Sequence, residues 1–324
     1  MAQQVIPRTL QQAIRHYSDP DTCQNELVSS RWPDGVECPV CGRKDVTYLK
    51  NQRRWQCRDK HPKRQFSAKV GTIFEDSPIG LDKWFTAMWL IANAKNGISS
   101  YELGRSIGVT QKTAWFMLHR IRVAMQTKSF RKFSGGVEAD ESYIGGRARN
   151  MHKSKLERLG HVGASRGRSA LGKVVVMALL ERHSKYNEHS QVRTLVIPNA
   201  RRSHLHKFVK EHVTPATELF TDSLLSYRGL DQDYVHNVID HAEKYVEGDV
   251  HTNGCENFWS LLKRAIRGTY VSIEPFHLFR YLDEQTFRFN NRKDVDSGRF
   301  ADVLRSVTGR RLTYADLTGQ QQPA

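Results

Sequence analysis

The sequence predicts a multi-domain α+β protein, in which a small cysteine-bearing β unit and a helical region precede an α/β domain with a mixed sheet. Cysteines crowd between residues 38 and 57, apolar residues recur every three or four positions from 81 to 127, and strand-like runs follow residue 136. The expected segments are 1–35 (N-terminal helical segment), 36–70 (β unit), 71–130 (helix-turn-helix region), 131–293 (α/β domain) and 294–324 (C-terminal tail).

The composition indicates a folded protein with a polyanionic partner. The chain has 324 residues, 39% of them hydrophobic and 10% aromatic, which is enough to build ordinary cores. Its 50 Lys and Arg residues outnumber 34 Asp and Glu residues, so the formal net charge is +16. Such a charge favours double-stranded DNA through release of counterions, although it names no reaction.

The sequence contains no membrane-targeting pattern. No apolar run approaches the roughly 20 residues that cross a bilayer, and the stretch from Met1 to Thr9 lacks the apolar centre of a signal peptide. We therefore expect a cytoplasmic protein, associated with the nucleoid if DNA is its partner. In a reducing compartment clustered cysteines indicate metal rather than disulfides. Cys23 and Cys255 stand apart from the cluster and are interpreted as ordinary residues.

The first segments contain one expected helix and a metal-binding pattern. The helix spans about 20–30, and short strands are expected at 46–49 and 54–56. Cys38 and Cys41 form a Cys-x2-Cys knuckle, and Cys57 with His61 can complete a tetrahedral structural zinc site, as in a zinc ribbon. A second Cys-x2-Cys knuckle would be usual, so His61 is the less secure ligand. The alternative is a set of buried free thiols.

A helix-turn-helix is expected next. Residues 99–107 are typical of a capped helix, 108–109 of a turn and 110–115 of the start of a second helix. The first turns of such a second helix enter the major groove, which would present Gln111, Lys112 and Arg120 to DNA. A plain helical hairpin that packs against a neighbour is the alternative.

The order of elements after residue 136 matches that of a ribonuclease-H-like domain. Three consecutive strands are followed by alternating helix and strand, although such a match in topology does not establish activity. Strands are expected at 136–144, 173–182, 191–197, 219–222 and 234–239, and helices at 201–212, 256–267 and 275–291. The tail beyond Lys293 is weakly patterned, and a short closing helix is one interpretation of it.

Three carboxylates on these elements suggest a site for magnesium. Asp140 lies on the first expected strand, on the face opposite Val137 and Ala139, Asp222 lies where a later strand ends, and Glu256 begins a helix. Together they could hold two magnesium ions for phosphoryl transfer. Lys263, two helical turns after Glu256, could hold a DNA phosphate. Singly, each acid has an ordinary explanation, such as a turn cap at Asp222.

Several stretches of the chain carry a resemblance to a known family. They are 31–35 leading into 38–41, 66–67 with 71–74, 138–146 (Glu-Ala-Asp-Glu-Ser-Tyr-Ile-Gly-Gly) and 251–264 (His-Thr-Asn-Gly-Cys-Glu-Asn-Phe-Trp-Ser-Leu-Leu-Lys-Arg). From about residue 18 to 293 the sequence resembles the DDE-class insertion-sequence transposases of bacteria that have an N-terminal zinc ribbon, the ISXO-like group. His61 in place of a fourth cysteine is the visible departure.

This resemblance implies a ribonuclease-H-like catalytic domain that acts on inverted-repeat DNA ends with Mg²⁺ or Mn²⁺. It implies Asp140, Asp222 and Glu256 as the catalytic triad, with Lys263 assisting and Arg264 beside it as a DNA contact. Related proteins can have Asn as the third catalytic residue, so Asn253 is an alternative. We favour Glu256 because a carboxylate is the stronger magnesium ligand. Glu141 is interpreted as a solvated charge at a strand end.

The segment from Arg147 to Lys173 is unusually basic. It has eight Lys and Arg residues against the single acid Glu157 and is interleaved with glycines. We expect a mobile loop that becomes ordered on DNA. Its expected DNA contacts are Arg147, Arg149, Lys153 and Lys155. The alternative is a solvated insert without a contact role.

The leading hypothesis from sequence is an active transposase that cleaves and joins DNA. Strand transfer needs two ends held together, so a homo-oligomer on DNA is expected. A retired transposase that serves as a DNA-binding regulator, and a metal-dependent nuclease that cuts without joining, remain as alternatives. The presence of all three acids counts against a role in binding alone.

Overall fold

The computed structural model describes residues 6–126, 131–146, 172–183, 188–239 and 251–319. The chain divides into two compact units: unit 1 is Met1–Gln126 with Asp294–Ala324, and unit 2 is Thr127–Lys293. Among the described residues, no helix is long and apolar enough to cross a membrane.

The helices and strands of the described residues are numbered along the chain. The helices are α1 (Leu10–His16), α2 (Pro20–Arg31), α3 (Leu81–Asn93), α4 (Ser100–Ile107), α5 (Gln111–Met125), α6 (Arg202–His212), α7 (Asn253–Ala265), α8 (Leu278–Asn290), α9 (Asp296–Arg305) and α10 (Tyr314–Thr318). The strands are β1 (Val46–Leu49), β2 (Arg54–Cys57), β3 (Gln65–Phe66), β4 (Val137–Ile144), β5 (Val174–Glu181), β6 (Gln191–Ile197), β7 (Glu218–Asp222) and β8 (Val235–Ile239).

A small antiparallel sheet in the order β1-β2-β3 forms the cysteine-bearing part of unit 1. Its apolar core is limited to a few aromatic rings: Trp55 lies 5.7 Å from Trp32 and 6.1 Å from Phe66 between ring centroids. A core of this size gives little stability by itself, which agrees with the sequence expectation that a metal stabilises this region. The strands expected at 46–49 and 54–56 are present, whereas β3 was not predicted.

Helices α4 and α5 form the pair that the sequence predicts. The Ser99 hydroxyl accepts a hydrogen bond from the Glu102 amide at 3.1 Å and begins α4. Gly108 ends that helix with φ of 64°, a left-handed conformation that glycine adopts without strain. The Thr110 hydroxyl then accepts from the Thr113 amide at 3.2 Å and begins α5. The two caps explain why the helices start where the sequence indicates.

The C-terminal residues return to unit 1, where α9 packs against α3. The Phe300 ring lies 5.5 Å from Phe85 and 5.7 Å from Trp89, and Tyr17 lies 5.0 Å from Phe85. Arg310 donates hydrogen bonds to the carbonyls of Val123 and Gln126. The sequence predicts only a weakly patterned tail with a short closing helix here, because the contacts of Phe300 and Arg310 join residues more than 180 positions apart.

Unit 2 contains a five-stranded mixed sheet in the order β6-β5-β4-β7-β8. β4, β5 and β6 pair antiparallel, whereas β7 pairs parallel with both β4 and β8. One face of the sheet packs on α6 through an apolar cluster that includes Val137 and Phe208. The other face packs on α7 and α8 through a cluster that includes Phe258 and Leu282. The central strand β4 is therefore covered on both faces, and each strand begins within two residues of its predicted start.

Candidate active site and metal sites

Asp140 and Asp222 lie at equivalent levels of two adjacent parallel strands. In the register of β4 and β7, Glu138 pairs with Phe220, and each aspartate follows two positions later. Both aspartates are half-buried. Asp222 also accepts a hydrogen bond from the Leu224 amide through Oδ1 at 3.1 Å, so it stabilises the turn that follows β7. Asp222 can therefore cap this turn and also lie beside Asp140.

Helix α7 carries Glu256 and Lys263 beside the same strand. The indole nitrogen of Trp259 donates to Oδ2 of Asp140 at 2.9 Å, which connects α7 directly to the first aspartate. Glu256 is exposed in the first turn of α7, and Lys263 is half-buried in its last turn. Asn253, the alternative third residue, is exposed at the first position of the helix.

The electrostatics show that these groups are close enough to interact. The pKa of Asp140 is raised to about 6, chiefly by burial and also by the negative charges of Asp222 and Glu256, against the hydrogen bond from Trp259. Burial lowers the pKa of Lys263, whereas the charge of Asp140 opposes that change. The carboxylates repel one another, so a divalent cation between them would relieve the repulsion.

The three carboxylates do not converge on a single point as the ligands of one closed site would. Within the described ranges, the cysteine and histidine cluster of unit 1 is the one group of three or more such side chains whose ligand atoms meet. Two ions about 3.5–4 Å apart would instead be shared among carboxylates spread along one edge. Hard carboxylate oxygens are suitable ligands for Mg²⁺.

Glu141 is not the solvated strand-end charge that the sequence suggested. Its side chain is half-buried, and its Oε2 accepts a hydrogen bond from the Tyr227 hydroxyl at 2.9 Å. Its pKa is raised to about 7, chiefly by burial and also by the charge of Asp222. The interpretation was wrong because residues on the two faces of β4 can both approach Asp222 where β7 ends. Glu141 is therefore a fourth acid at this edge.

The buried Glu138 and the half-buried Arg182 form an ion pair that contacts every element carrying one of the three acids. Arg182 Nε donates to Glu138 Oε1 at 2.8 Å, two residues before Asp140 on β4. The guanidinium lies 3.9 Å from the ring centroid of Phe220, two residues before Asp222. Glu138 Oε2 accepts the backbone amide of Cys255, the residue before Glu256, at 3.0 Å. Sequence reasoning missed this pair, although an acid inside an apolar strand was a signal.

The Arg182 side chain also holds the start of α7. One of its terminal nitrogens donates to the backbone carbonyl of His251 at 2.6 Å. Gly254 allows the helix to approach closely, because a Cβ there would lie 2.8 Å from Glu138 Oε2 and 2.9 Å from Leu180. The carboxylate of Glu138 therefore accepts a free amide at the helix N-terminus, a position that favours negative charge.

The predicted zinc ligands converge in unit 1. The ligand atoms of Cys38, Cys41, Cys57 and His61 all lie within 4.8 Å of one another, with Cys38 Sγ 3.4 Å from His61 Nε2. His61 Nδ1 lies 2.7 Å from the carbonyl oxygen of Pro62. A proton on Nδ1 would be held by that carbonyl, which leaves Nε2 as the ligand atom. The cluster fits a structural zinc ion with a closed tetrahedral shell.

The DNA-binding residues expected in unit 1 have different environments. Gln111 and Lys112 are exposed at the start of α5. Arg120, however, is only 4% exposed, and its guanidinium donates to the Glu75 carbonyl and lies over the rings of Trp84 and Phe116. The expectation for Arg120 is therefore corrected, because a side chain held in the interior cannot reach a DNA surface.

The remaining expected DNA contacts belong to unit 2. Arg264 is exposed on α7. Arg147, Arg149, Lys153 and Lys155 lie outside the described residues, as does the basic segment except for its last two positions, 172 and 173.

Comparisons with known proteins match one family domain within each unit. Residues 132–290 match the ISXO2-like transposase domain, and residues 18–59 match the transposase zinc-ribbon domain. The second match includes the three clustered cysteines and ends before His61. No solved structure is significantly similar to the chain.

Two relatives share substantial sequence with the chain. An uncharacterized protein in transposable element ISH50 of Halobacterium salinarum is 29% identical over 249 residues, 74% of this chain and 81% of the relative. An uncharacterized transposase-like protein of Haemophilus influenzae is 34% identical over 102 residues, 31% of this chain and 82% of the relative. The chain belongs to the family of ISXO2-like DDE transposases with an N-terminal transposase zinc ribbon.

Proposed function

We propose that this protein binds the inverted-repeat ends of an insertion sequence and catalyses metal-dependent DNA cleavage and strand transfer. The observation that carries the proposal is the position of Asp140 and Asp222 at one level of adjacent parallel strands, with α7 hydrogen-bonded to Asp140. The sheet order β6-β5-β4-β7-β8, with three antiparallel strands before two parallel ones, supports a ribonuclease-H-like catalytic domain.

In this proposal Asp140, Asp222 and Glu256 hold two Mg²⁺ or Mn²⁺ ions. The ions would activate water or a 3′-hydroxyl and stabilise the leaving oxygen. Trp259 would orient the Asp140 carboxylate through its indole N–H, which donates to Oδ2, while the Glu141 amide donates to Oδ1. Lys263 holds a phosphate of the DNA near Asp140. The negative charge of Asp140 already stabilises the Lys263 ammonium group. Glu141 lies at the same edge, where its carboxylate interacts electrostatically with that of Asp222.

The remaining residues of the proposal position the DNA. The zinc ribbon and the pair α4 and α5 recognise the element ends, with Gln111 and Lys112 directed at the duplex and Arg264 at DNA near the catalytic edge. Strand transfer requires two ends in one assembly, so the active form on DNA is a homo-oligomer. The domain limits 36–70, 71–130 and 131–293 are kept as part of this proposal.

The test is mobilisation of a marker flanked by the native element ends in cells that express the protein. The intact protein is expected to move the marker, and Glu256→Gln is expected to abolish movement while DNA binding is retained. Asn253→Ala is the matched variant, because both residues are exposed in the first turn of α7. It is expected to retain movement.

Two results would contradict parts of this proposal. Loss of movement in Asn253→Ala with retention in Glu256→Gln would transfer the third catalytic position to Asn253. Binding of the ends by the intact protein without any cleavage or joining in vitro would remove the catalytic function, and the regulator would then be the better description.

A further inference from the structure

Helix α5 is exposed to solvent at its start. The structure describes the whole of this helix, and Gln111 and Lys112 are its only exposed residues. Trp115 and Phe116 are half-buried, and every residue from 117 to 125 is buried. A helix covered in this way cannot lie with its length in a groove of DNA. Any contact of α5 with DNA is therefore made end-on by the first turn, the part of a recognition helix that reaches base edges.

The C-terminal segment 310–318 provides part of the cover over α5. The two share an apolar cluster, which consists of Leu312 and Leu317 from the segment and of Val123, Trp115 and Phe116 from α5. Displacement of the segment would expose these apolar side chains to water, which is unfavourable. The segment is therefore a lasting part of the surface around α5 rather than a removable cover.

Hydrogen bonds fix the segment at two places. The Arg310 guanidinium donates to the carbonyl of Val123 and, at 3.1 Å, to that of Gln126, both at the end of α5. Thr313 and Asp316 form a capping box at the start of α10, in which each side chain accepts the backbone amide of the other at 3.1 Å. A helix as short as α10 does not form alone, so its packing on α5 sets its position.

Tyr314, the first residue of α10, lies beside the exposed turn of α5. Nζ of Lys112 lies 4.9 Å from the centroid of the Tyr314 ring. Phe116, one helical turn after Lys112, meets the same ring edge-on at 5.6 Å between centroids. Tyr314 is 37% exposed, so Phe116 supports its ring without enclosing it. The C-terminal segment thus adds an aromatic ring to the exposed start of α5.

The two exposed side chains of α5 are each held by a different neighbour. Gln111 Nε2 donates to the hydroxyl of Ser100, the first residue of α4, at 2.8 Å. Lys112 is held by Tyr314, because an ammonium group is attracted to the face of an aromatic ring. A free lysine side chain loses much rotamer freedom when it binds a partner. A lysine that is held before DNA arrives loses less, which favours binding.

We propose that Tyr314 positions Lys112 for contact with a backbone phosphate of double-stranded DNA. The C-terminal segment 310–318 is thereby a third part of the DNA-binding surface of unit 1, beside α4 and α5. This inference rests on the proposed function, because it takes DNA from the role assigned there to α4 and α5. Tyr314 acts through Lys112 and is a positioning residue.

The experiment measures the affinity of the full-length protein for a duplex of the native element end, without Mg²⁺ so that no cleavage intervenes. Tyr314→Phe keeps the aromatic face and is expected to bind as the parent does. Tyr314→Leu keeps an apolar contact with Phe116 but has no aromatic face. Its affinity is expected to fall about threefold, as for loss of one exposed cation–π contact. Zinc content and calorimetric unfolding show whether each variant is folded.

A change that preserves the shape of the ring separates its charge distribution from its packing. Trifluorophenylalanine, incorporated at position 314, has nearly the shape of phenylalanine, but its fluorines withdraw the negative charge of the ring face. Its affinity is expected to match that of Tyr314→Leu rather than that of Tyr314→Phe. This protein also provides the test if Tyr314→Leu does not fold.

Combination with Lys112→Gln tests whether the ring acts through the lysine. In that background Tyr314→Leu is expected to cause no further loss of affinity. Lys207→Gln is the matched control background, because Lys207 is an exposed lysine of α6 in unit 2. There the threefold loss on Tyr314→Leu is expected to remain.

Three results would overturn the inference. The first is binding like that of the parent by the trifluorophenylalanine protein, and the second is an equal loss on Tyr314→Leu with and without Lys112. The third is tighter binding by Tyr314→Leu, which would show that the ring holds Lys112 away from DNA.

Failure of the proposed function is a separate outcome. If residues 112 and 314 are coupled in binding but the intact protein never cleaves the end, this surface is retained and the catalytic proposal fails. If the intact protein moves the marker but the variants at 314 bind alike, the catalytic proposal is retained and this inference fails.

Discussion

Arg182 donates a 2.8 Å hydrogen bond to Glu138, and this pair connects the three elements that carry Asp140, Asp222 and Glu256. The carboxylate of Glu138 is almost wholly buried, with 1% of its side chain exposed. Arg182 and the Cys255 amide of α7 supply it with opposite charge and hydrogen bonds, and His251 Nδ1 lies 3.4 Å from Oε1. The geometry of the candidate active site therefore depends on a pair that is not itself proposed to touch metal or DNA.

Arg182→Met is predicted to reduce the free energy of unfolding of unit 2 by about 3 kcal/mol, because it leaves a buried carboxylate without its partner. The double variant Glu138→Gln with Arg182→Met is expected to recover part of this loss. Calorimetric unfolding measures both. The control is Lys207→Met, at the exposed pair Lys207–Glu211, where about 0.5 kcal/mol or less is expected. Equal losses of stability in Arg182→Met and Lys207→Met would contradict the importance of the Glu138–Arg182 pair.

Gly254→Ala is predicted to reduce stability by about 1–3 kcal/mol, because the added methyl group meets Glu138 and Leu180 below 3.0 Å. It should also slow DNA cleavage, since Glu256 lies two residues further along the same helix. Gly268→Ala is the matched control, because a Cβ there would meet nothing within 4 Å. Thermal unfolding and cleavage rates of the two variants test the prediction, which fails if they behave alike.

Asp140→Asn is predicted to stabilise the metal-free protein at pH 7.5 by about 1–3 kcal/mol. The burial that raises the pKa of Asp140 penalises its charged form, and the amide removes both this cost and the repulsion from Asp222. Asn retains an oxygen that can accept the Trp259 hydrogen bond. Mg²⁺ should raise the unfolding temperature of the intact protein and not of the variant. A metal-free variant less stable than the parent would contradict this account.

Zinc removal is predicted to unfold the β1-β2-β3 sheet while unit 2 keeps its structure, because the small aromatic core of that sheet cannot stabilise it alone. Cys41→Ser should lose zinc, and His61→Cys should retain one equivalent, as measured by elemental analysis of the purified protein. Cys23→Ala is the control, which tests whether loss of a buried thiol outside the cluster also removes zinc. Cys23 lies in α2 and donates to the Tyr17 carbonyl, so zinc content should not change.

Lys112→Gln and Arg120→Met are predicted to impair different properties, DNA binding in the first variant and stability in the second. Loss of the exposed Lys112 should weaken DNA binding and reduce the slope of log affinity against log salt by about one. Loss of the buried Arg120 should lower the stability of unit 1 without a change in that slope. Titrations at several salt concentrations and calorimetry distinguish the two. A reduced slope for Arg120→Met would show that the side chain does reach DNA.

The sequence predicted those parts of the fold that depend on local patterns. Strand β6 was predicted at its observed limits, and the caps at Ser99 and Thr110 were visible as residue types. The zinc ligands were also predicted, because their spacing is set by the geometry of one ion. These features require no knowledge of which distant segments meet.

The features that were missed depend on distant contacts. Glu138 reaches Arg182 across 44 residues and Cys255 across 117, and no periodicity encodes such pairs. Arg120 was expected at a surface because the second helix of a helix-turn-helix presents its first turns to DNA. The second half of α5 is instead buried on every side, including His119 and Arg122. Glu141 was misassigned because the approach of Asp222 from the next strand could not be inferred.

Unit 1 is assembled from both ends of the chain, with Phe300 of α9 packed against α3. During synthesis the ribosome releases all of unit 2 before it releases that phenylalanine. Until then Tyr17 can pack on Phe85 of α3, but the packing of Phe300 on that helix must wait. A nascent chain can therefore complete its candidate catalytic unit before the unit that carries the zinc cluster.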